Sequence, residues 1–192
     1  MSSQDGAIAA LIASARDFTA AGHRDFGYVE QRDVAIATYS DALITRRDYL
    51  DGPMKFTGAV YDGAGQLVRS SLGFSEGDFE PLDPECQPPE RAAAAHRMTR
   101  AVYGGTLYFV LGHFLFETVA RLWHGVDFAA RRRIGRGGLP VVFHPWSGLD
   151  LDGFFKNRLY RKTLSALGIT RDDIVLANID LSVETLYYPT PL

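Results

Sequence analysis

The chain has 192 residues, of which 46% are hydrophobic and 22% are charged. This composition is typical of globular proteins that bury a sizeable core. The formal net charge of -3 argues against general nucleic-acid binding, because that function requires a basic surface. Cys86 is the only cysteine, which excludes an intrachain disulfide and a cysteine-rich zinc site.

The sequence shows no targeting or membrane-spanning signal. It opens without basic residues, and no apolar run approaches the ~20 residues that cross a bilayer. We therefore expect a cytoplasmic protein. The run RRRIGRGG is typical of a solvated loop. The alternative is contact with anionic lipid or a charged glycan, which would add a peripheral position at the inner membrane.

The first 90 residues predict a helix and a β-rich segment that packs on the core. Residues 5–21 are alanine-rich and helical in tendency, and residues 33–45 predict two strands separated by a turn at Ser40-Asp41. Residues 56–74 predict a hairpin around Asp62-Gly63-Ala64-Gly65. Residues 80–92 contain four prolines and predict an irregular connector.

Residues 91–192 alternate between strand and helix patterns. The predicted order is strand 106–111, helix 113–123, strand 139–143, helix 153–167 and strand 173–179. Such alternation indicates an α/β fold with a parallel sheet, here a Rossmann-like β-α-β-α-β half-domain within a single structural domain. The final ETLYYPTPL follows what reads as a completed strand, and predicts either a linker or a terminus.

The helix at 113–123 carries a polar stripe. A helix that begins at Gly112 places His113, Glu117, Arg121 and His124 along one edge, because positions i, i+4 and i+8 nearly align. This stripe faces either solvent, with Glu117 paired to Arg121, or a cleft. The other side chains are apolar and are expected to be buried: Leu115, Phe116, Val119, Ala120, Leu122 and Trp123.

His113 is the candidate base. It would lie in the first helical turn after a strand, at the carboxyl edge of a parallel sheet, where α/β proteins bind ligands. The positive end of the helix favours a neutral imidazole, and Glu117 could orient it or bind a hydroxyl. No metal or cofactor is predicted, since HxxxE supplies only two ligands and no phosphate-binding loop is present.

A second group of candidates follows the strand at 139–143. His144 and Trp146 could meet a sugar, because aromatic rings stack on sugar faces. The alternative is a turn with Trp146 packed beneath it. Asp150 and Asp152 are better explained by that turn and by capping of the next helix, a role we expect for Asp152.

The segment YGGTLYFVLGHFLFETVARLW resembles the signature of the family 61 glycosyltransferases. Bacterial members of that family carry a Gly-His-Phe-Leu-hydrophobic-Glu helix that is followed by Arg-Leu-Trp. The resemblance extends from about residue 33 to the end of the chain. The matching residues are Gly112, His113, Phe114, Leu115, Glu117, Arg121, Leu122 and Trp123, with Gly104-Gly105 ahead of them.

The resemblance implies an inverting transfer of a sugar from a nucleotide-sugar donor to a hydroxyl acceptor, in surface polysaccharide assembly. It also implies a two-domain GT-B arrangement, of which this chain resembles the N-terminal, acceptor-side half. Without the donor-binding domain, or a partner chain that supplies it, we expect no activity. His113 and Glu117 would be catalytic, and the substrate-binding candidates are His144, Trp146, Gly112 and Arg121, the last with a more structural role.

Two other functions compete with this hypothesis. The chain could be a non-catalytic domain that binds a glycan or a partner, or a second copy of itself, through exposed apolar surface. A nucleotide-binding regulator is disfavoured, because the sequence has no phosphate loop.

Overall fold

The computed structural model describes residues 36–49, 56–72, 96–122 and 138–189. These residues fall within one compact unit, Val34–Leu192. Several predicted features lie outside them: the helix at 5–21, the connector at 80–92, the boundary at residue 90, the arginine run at 131–136 and the residues Trp123 and His124.

The described residues form a six-stranded mixed sheet with the order β2-β1-β6-β3-β4-β5. Strands β6, β3, β4 and β5 are mutually parallel, β1 is antiparallel to β6, and β2 is antiparallel to β1. The strands are β1 (Ile36–Ile44), β2 (Val60–Tyr61), β3 (His96–Leu107), β4 (Val141–Pro145), β5 (Ile174–Leu176) and β6 (Leu181–Pro189).

In the part of the chain that the structure describes, three helices longer than a single turn lie between the parallel strands. The first, α1, runs through Leu111–His113, Phe114–Val119 and Ala120–Leu122, and its middle section has π-type hydrogen bonding. The helices between β4 and β5 are α2 (Leu151–Lys156) and α3 (Arg158–Ala166), which are separated at Asn157 because its backbone is extended. None of the helices in the described residues has the length and hydropathy that a membrane span requires.

The predicted α/β fold and the parallel β-α-β-α-β order are confirmed for β3 to β5. The likeness to a GT-B half-domain stays a prediction. The strand predicted at 106–111 is wrong in its limits, because β3 ends at Leu107 and the chain turns through Tyr108–Val110 into α1. The hairpin turn is confirmed: the Asp62 carboxylate accepts hydrogen bonds from the amides of Ala64 and Gln66.

Two strands differ from the prediction. Residues 36–44 form one continuous strand, because β1 keeps its pairing with β6 on both sides of Asp41, although Asp41 has a left-handed conformation (φ 50°). The C-terminal Leu181–Pro189 is also a strand rather than a linker: β6 pairs with β1 on one side and with β3 on the other. Only four residues join it to β5, without the helix that a Rossmann crossover would place there.

The sheet separates two apolar clusters. One face packs against the helices, where Val102, Leu107 and Phe143 meet Phe114 of α1 and Leu164 of α3. The opposite face buries a second cluster. Its members come from all parts of the sheet and include Ile44, Val60, Ala101, Tyr103, Val142, Val183 and Tyr188.

A β-bulge at Gly104 shifts the side chains at the end of β3. Tyr103 is paired with Val142 and Gly105 with Phe143, so Gly104 is the extra residue. Leu107 therefore faces the helices together with Val102, five residues before it, which strict alternation would place on opposite faces. By the same shift, Thr106 joins Tyr103 on the second face.

Both glycines of the bulge are required by close packing. A Cβ on Gly104 would overlap the ring of Phe143, and a Cβ on Gly105 would lie 2.5 Å from Cδ of Arg121. Gly105 also has a φ of 82°, a conformation that only glycine adopts without strain. The bulge thus allows Phe143 and Arg121 to pass close to the backbone of β3.

We expect Gly104→Ala to lower the free energy of unfolding by about 1–3 kcal/mol, because the new methyl group overpacks the core. Gly105→Ala should cost about 1–2 kcal/mol more, through left-handed strain. Gly112→Ala is the control, since a Cβ there meets nothing within 4 Å. Urea unfolding of the three variants measures the differences, and equal stabilities would contradict the role of the bulge.

Candidate functional site

The candidate site lies where β3 and β4 end side by side. Leu107 is paired with Pro145, so the residues that follow, Tyr108 and Trp146, leave the sheet at the same edge. The Trp146 amide donates to the Leu107 carbonyl at 3.2 Å, which fixes this exit. Because α1 begins at Leu111, its first turn brings His113 to the same place.

His113 and Glu117 form a hydrogen-bonded pair on α1, between imidazole Nδ1 and carboxylate Oε1. The predicted i,i+4 contact between these two residues is therefore present. The His113 side chain is 46% exposed and that of Glu117 is 14% exposed. In the neutral ring, Nδ1–H donates to the carboxylate, which leaves Nε2 as the acceptor for a proton from solvent or from a ligand.

Aromatic rings surround the imidazole. Tyr108 stacks on His113 with 5.0 Å between centroids, and Trp146 lies 6.3 Å away with its ring nearly parallel to the imidazole. Tyr108 and Trp146 are themselves 4.8 Å apart. Tyr49, whose hydroxyl donates to the Pro145 carbonyl at 2.8 Å, meets Trp146 edge-on. The pair thus sits beside an aromatic wall made by two strand ends and the segment after β1.

Glu117 also acts on Tyr108. Burial raises the pKa of the Tyr108 hydroxyl, and the charge of Glu117 and a hydrogen bond to its carboxylate raise that pKa further. The Tyr108 hydroxyl therefore stays protonated at neutral pH, and it donates a hydrogen bond to the Glu117 carboxylate. Glu117 is fixed by two neighbours, His113 and Tyr108, which favours a single orientation of the imidazole.

Arg47 lies behind this wall as a buried cation. It is 5% exposed, its Nη1 donates to Thr106 Oγ1 at 2.6 Å, and its guanidinium lies 4.1 Å from the ring centroid of Phe56. Its Nε has no hydrogen-bond partner, and no ion pair of Arg47 is found among the described residues. Burial raises the pKa of Tyr49, and the positive charge of Arg47 opposes that rise.

His144 is fully buried, so its ring does not reach a ligand in this structure. Its Nε2 lies 2.9 Å from the Thr45 carbonyl oxygen, which can only accept, so Nε2 carries the proton. Nδ1 then accepts from the Tyr103 hydroxyl at 2.8 Å. Burial, together with the charges of Arg47 and Arg121, holds the pKa of His144 well below its usual value. His144 is therefore a neutral link that ties β4 to β3 and to the end of β1.

The structure separates Arg121 from the predicted polar stripe. Arg121 is buried, and it donates from Nη2 to the Ser70 carbonyl at 2.6 Å and from Nη1 to the Tyr188 hydroxyl at 3.3 Å. The prediction assumed 3.6 residues per turn throughout, whereas the π-type section of α1 has wider turns and changes the direction of later side chains. Among the described residues, the stripe therefore reduces to His113 and Glu117.

Two further predictions about this region are wrong. Leu115 and Phe116 were expected in the core, yet they are 40% and 73% exposed. Asp150, rather than Asp152, caps the next helix, by accepting from the amides of Asp152 and Gly153, and those bonds lower the pKa of its carboxyl. Asp152 instead pairs with Arg171 at 2.7 Å.

Gly112 is exposed, and no side chain approaches it. Trp146 packs beneath the turn, as one of the sequence alternatives predicts, and also faces the His113 pair. The substrate-binding roles of both residues stay predictions. The described residues contain no group of three or more side chains that could hold a metal ion.

Sequence reasoning missed Tyr108, Tyr49 and Arg47. Tyr108 lies inside the quoted signature segment, but an apolar run conceals where the strand ends. Arg47 and Tyr49 follow the apolar end of β1, and charged and aromatic residues directly after a strand were the available signal.

Comparison with protein-family models, with curated proteins and with solved structures gives no match to this chain.

The His113 tautomer can be measured directly. We expect two-bond ¹H–¹⁵N correlation spectra of the neutral ring to show the proton on Nδ1, because the Glu117 carboxylate accepts it. Glu117→Gln should weaken this preference, since an amide can also donate. The exposed His96 serves as the internal reference. A dominant Nε2–H form at His113 in the unsubstituted protein would contradict the pairing.

His144 should make stability depend on pH. Its folded-state pKa lies well below 6.5, so the unfolded chain binds a proton on this side chain at a pH where the folded protein does not. The free energy of unfolding should therefore fall as the pH drops below about 6.5, by up to ~1.4 kcal/mol per pH unit. In His144→Gln this part of the slope should disappear, while His96→Gln should retain it. Denaturant unfolding between pH 7 and pH 5 tests this, and identical slopes in the two variants would refute it.

Proposed function

We propose that this chain is the acceptor-side part of an inverting glycosyltransferase, with His113 as general base and Glu117 as its orienting partner. The reaction class comes from the resemblance of residues 103–123 to the family 61 signature. The assignment of roles rests on one observation, the hydrogen bond between a half-exposed imidazole and a carboxylate at the carboxyl edge of parallel strands.

The proposed chemistry uses the free nitrogen of the pair. His113 Nε2 takes the proton of the acceptor hydroxyl as its oxygen attacks the anomeric carbon of the donor. The new carbon–oxygen bond forms on the face opposite the leaving group, and the bond to the nucleoside diphosphate breaks with both electrons on the phosphate oxygen. Glu117 stabilises the imidazolium that results, and holds the ring in the productive tautomer.

The aromatic wall supports a sugar as the acceptor. Trp146 is half-buried beside the imidazole, and such a ring can pack against the C–H groups of a pyranose. Tyr108 is buried, and it supports the rings of His113 and Trp146 from within. Both rings are held by the packing of strand ends, so the site needs little ordering when a sugar binds. In this proposal Gly112 leaves room for the acceptor, because no side chain approaches it.

Arg121 and His144 take structural roles in this proposal. Arg121 joins α1 to Ser70 and Tyr188, and His144 joins β4 to Thr45 and Tyr103. They keep α1 and the ends of β3 and β4 in fixed relation. The nucleotide-sugar would be held by a second domain or a partner chain. The resemblance to family 61 also suggests that the reaction belongs to surface polysaccharide assembly.

We expect His113→Ala to lower kcat by about 10²- to 10⁴-fold in the enzyme assembled with its donor-binding part, because the general base is lost. Glu117→Gln should also lower kcat, since the amide no longer fixes the tautomer. The matched control is His96→Ala, which removes an exposed histidine at the start of β3. The measurement is the release of nucleoside diphosphate, with circular dichroism to verify folding.

Full rate after both His113→Ala and Glu117→Ala would show that the pair is not the catalytic site. A loss of rate in His96→Ala of the same size would show that the effect of His113→Ala is not specific.

A second candidate, a non-catalytic domain that binds a glycan or a partner, is favoured by the same aromatic wall and by the exposed apolar side chains of α1. Calorimetry of this chain with acceptor glycans distinguishes the two functions. Glycan binding that His113→Ala weakens supports the transferase. Glycan binding that is unaffected by His113→Ala supports the binding domain.

A further inference from the structure

Most of the exposed apolar surface of the described residues lies in one region. Seven large apolar side chains are exposed, and six of them come from the segment 109–116 or from α3. Phe116 is the most exposed, at 73%. The six are Phe109, Val110, Leu111, Leu115, Phe116 and Leu159; the seventh, Ile179, lies between β5 and β6.

The segment 109–116 and α3 are in direct contact. The Tyr160 hydroxyl donates to the Phe109 carbonyl, and the Tyr160 ring packs on Phe114 with centroids 4.7 Å apart. Leu159 and Arg161 are the sequence neighbours of Tyr160, so both lie within one helical turn of this contact. Segment 109–116 and α3 are therefore adjacent, and we call the exposed side chains of this segment and of α2 and α3 the apolar-basic surface.

The charges on this region are mostly positive. Helices α2 and α3 expose the cations Lys156, Arg158, Arg161 and Lys162. Asp152 is their only acidic residue, and it is paired with Arg171. The whole chain has a net charge of -3, so this cationic cluster departs from the average of the protein.

We propose that the apolar-basic surface docks on a membrane that contains anionic lipids. Phenylalanine and leucine side chains insert into the interface between headgroups and acyl chains, and the surrounding lysines and arginines bind the anionic headgroups. A lipid surface needs no shape-matched partner, which suits a patch of protruding side chains whose charges are mostly positive.

The inference does not depend on the proposed glycosyl transfer. His113 belongs to the same segment, 109–116, so docking places the imidazole and its aromatic wall close to the lipid headgroups. Membrane binding can be measured without any donor or acceptor. A failure of one proposal therefore leaves the other standing.

The test is co-sedimentation of the purified chain with two kinds of vesicle, phosphatidylcholine alone and phosphatidylcholine with phosphatidylserine. We expect binding only to the vesicles with phosphatidylserine, and weaker binding as the salt concentration rises. Removal of a single cation, as in Arg161→Gln or Lys162→Gln, should reduce partitioning about fivefold. Phe116→Ser should reduce it by about tenfold or more, because an inserted aromatic ring is lost.

Matched controls come from elsewhere in the chain. Ile179→Ser removes an apolar side chain that is 46% exposed and lies outside the apolar-basic surface, and Arg69→Gln removes an exposed cation; neither should change partitioning. All the substituted residues are exposed, so thermal unfolding should show little change in any variant.

Three outcomes would overturn the proposal. One is equal binding, or no binding, to the two kinds of vesicle. Another is a loss of partitioning in Ile179→Ser that matches the loss in Phe116→Ser. The third is self-association that Phe116→Ser abolishes while vesicle binding stays unchanged, which would identify a second copy of the chain as the occupant of this surface.

Discussion

The bulge at Gly104 and Gly105 is the constraint on which the rest of the structure depends. It shifts the alternation of side chains along β3 by one residue, so that Thr106 faces the same side as Tyr103 while Leu107 faces the helices. It also opens the space through which Arg121 reaches past the strand. Without this extra residue, Thr106 and Leu107 would exchange faces.

Behind the candidate site is a buried polar layer, an uncommon feature for a domain of this size. The guanidinium of Arg47, the imidazole of His144 and the hydroxyl of Tyr103 are all inaccessible, and most of their hydrogen bonds end on backbone carbonyls or hydroxyls. Such a layer specifies position, because each group has few alternative partners in a low-dielectric interior. This layer is costly because it buries the positive charge of Arg47, and no anionic side chain among the described residues pairs with that charge.

Much of the architecture follows from local patterns, and most errors arise from long-range effects. The alternation of apolar runs and helical patterns predicts β3 to β5, and an i,i+4 spacing predicts the contact of His113 with Glu117. The position of Arg121 could not be predicted, since π-type turns have no clear signal in composition. Arg47 joins the site through the pairing of β1 with a strand that lies about 140 residues later, and only tertiary structure reveals that neighbourhood.

The position of β6 has a consequence for synthesis on the ribosome. This strand lies between β1 and β3, yet it comes after both in the chain, so β1 and β2 have no edge to join until residues 181–189 have emerged. β1 and β2 can pair with each other, but they stay apart from the rest of the sheet while the helical half is already able to collapse. The sheet is then completed late, when β6 pairs with β1 across a large sequence separation, and such pairing favours slow folding. Until then, the free edge of the nascent β1 is exposed to aggregation.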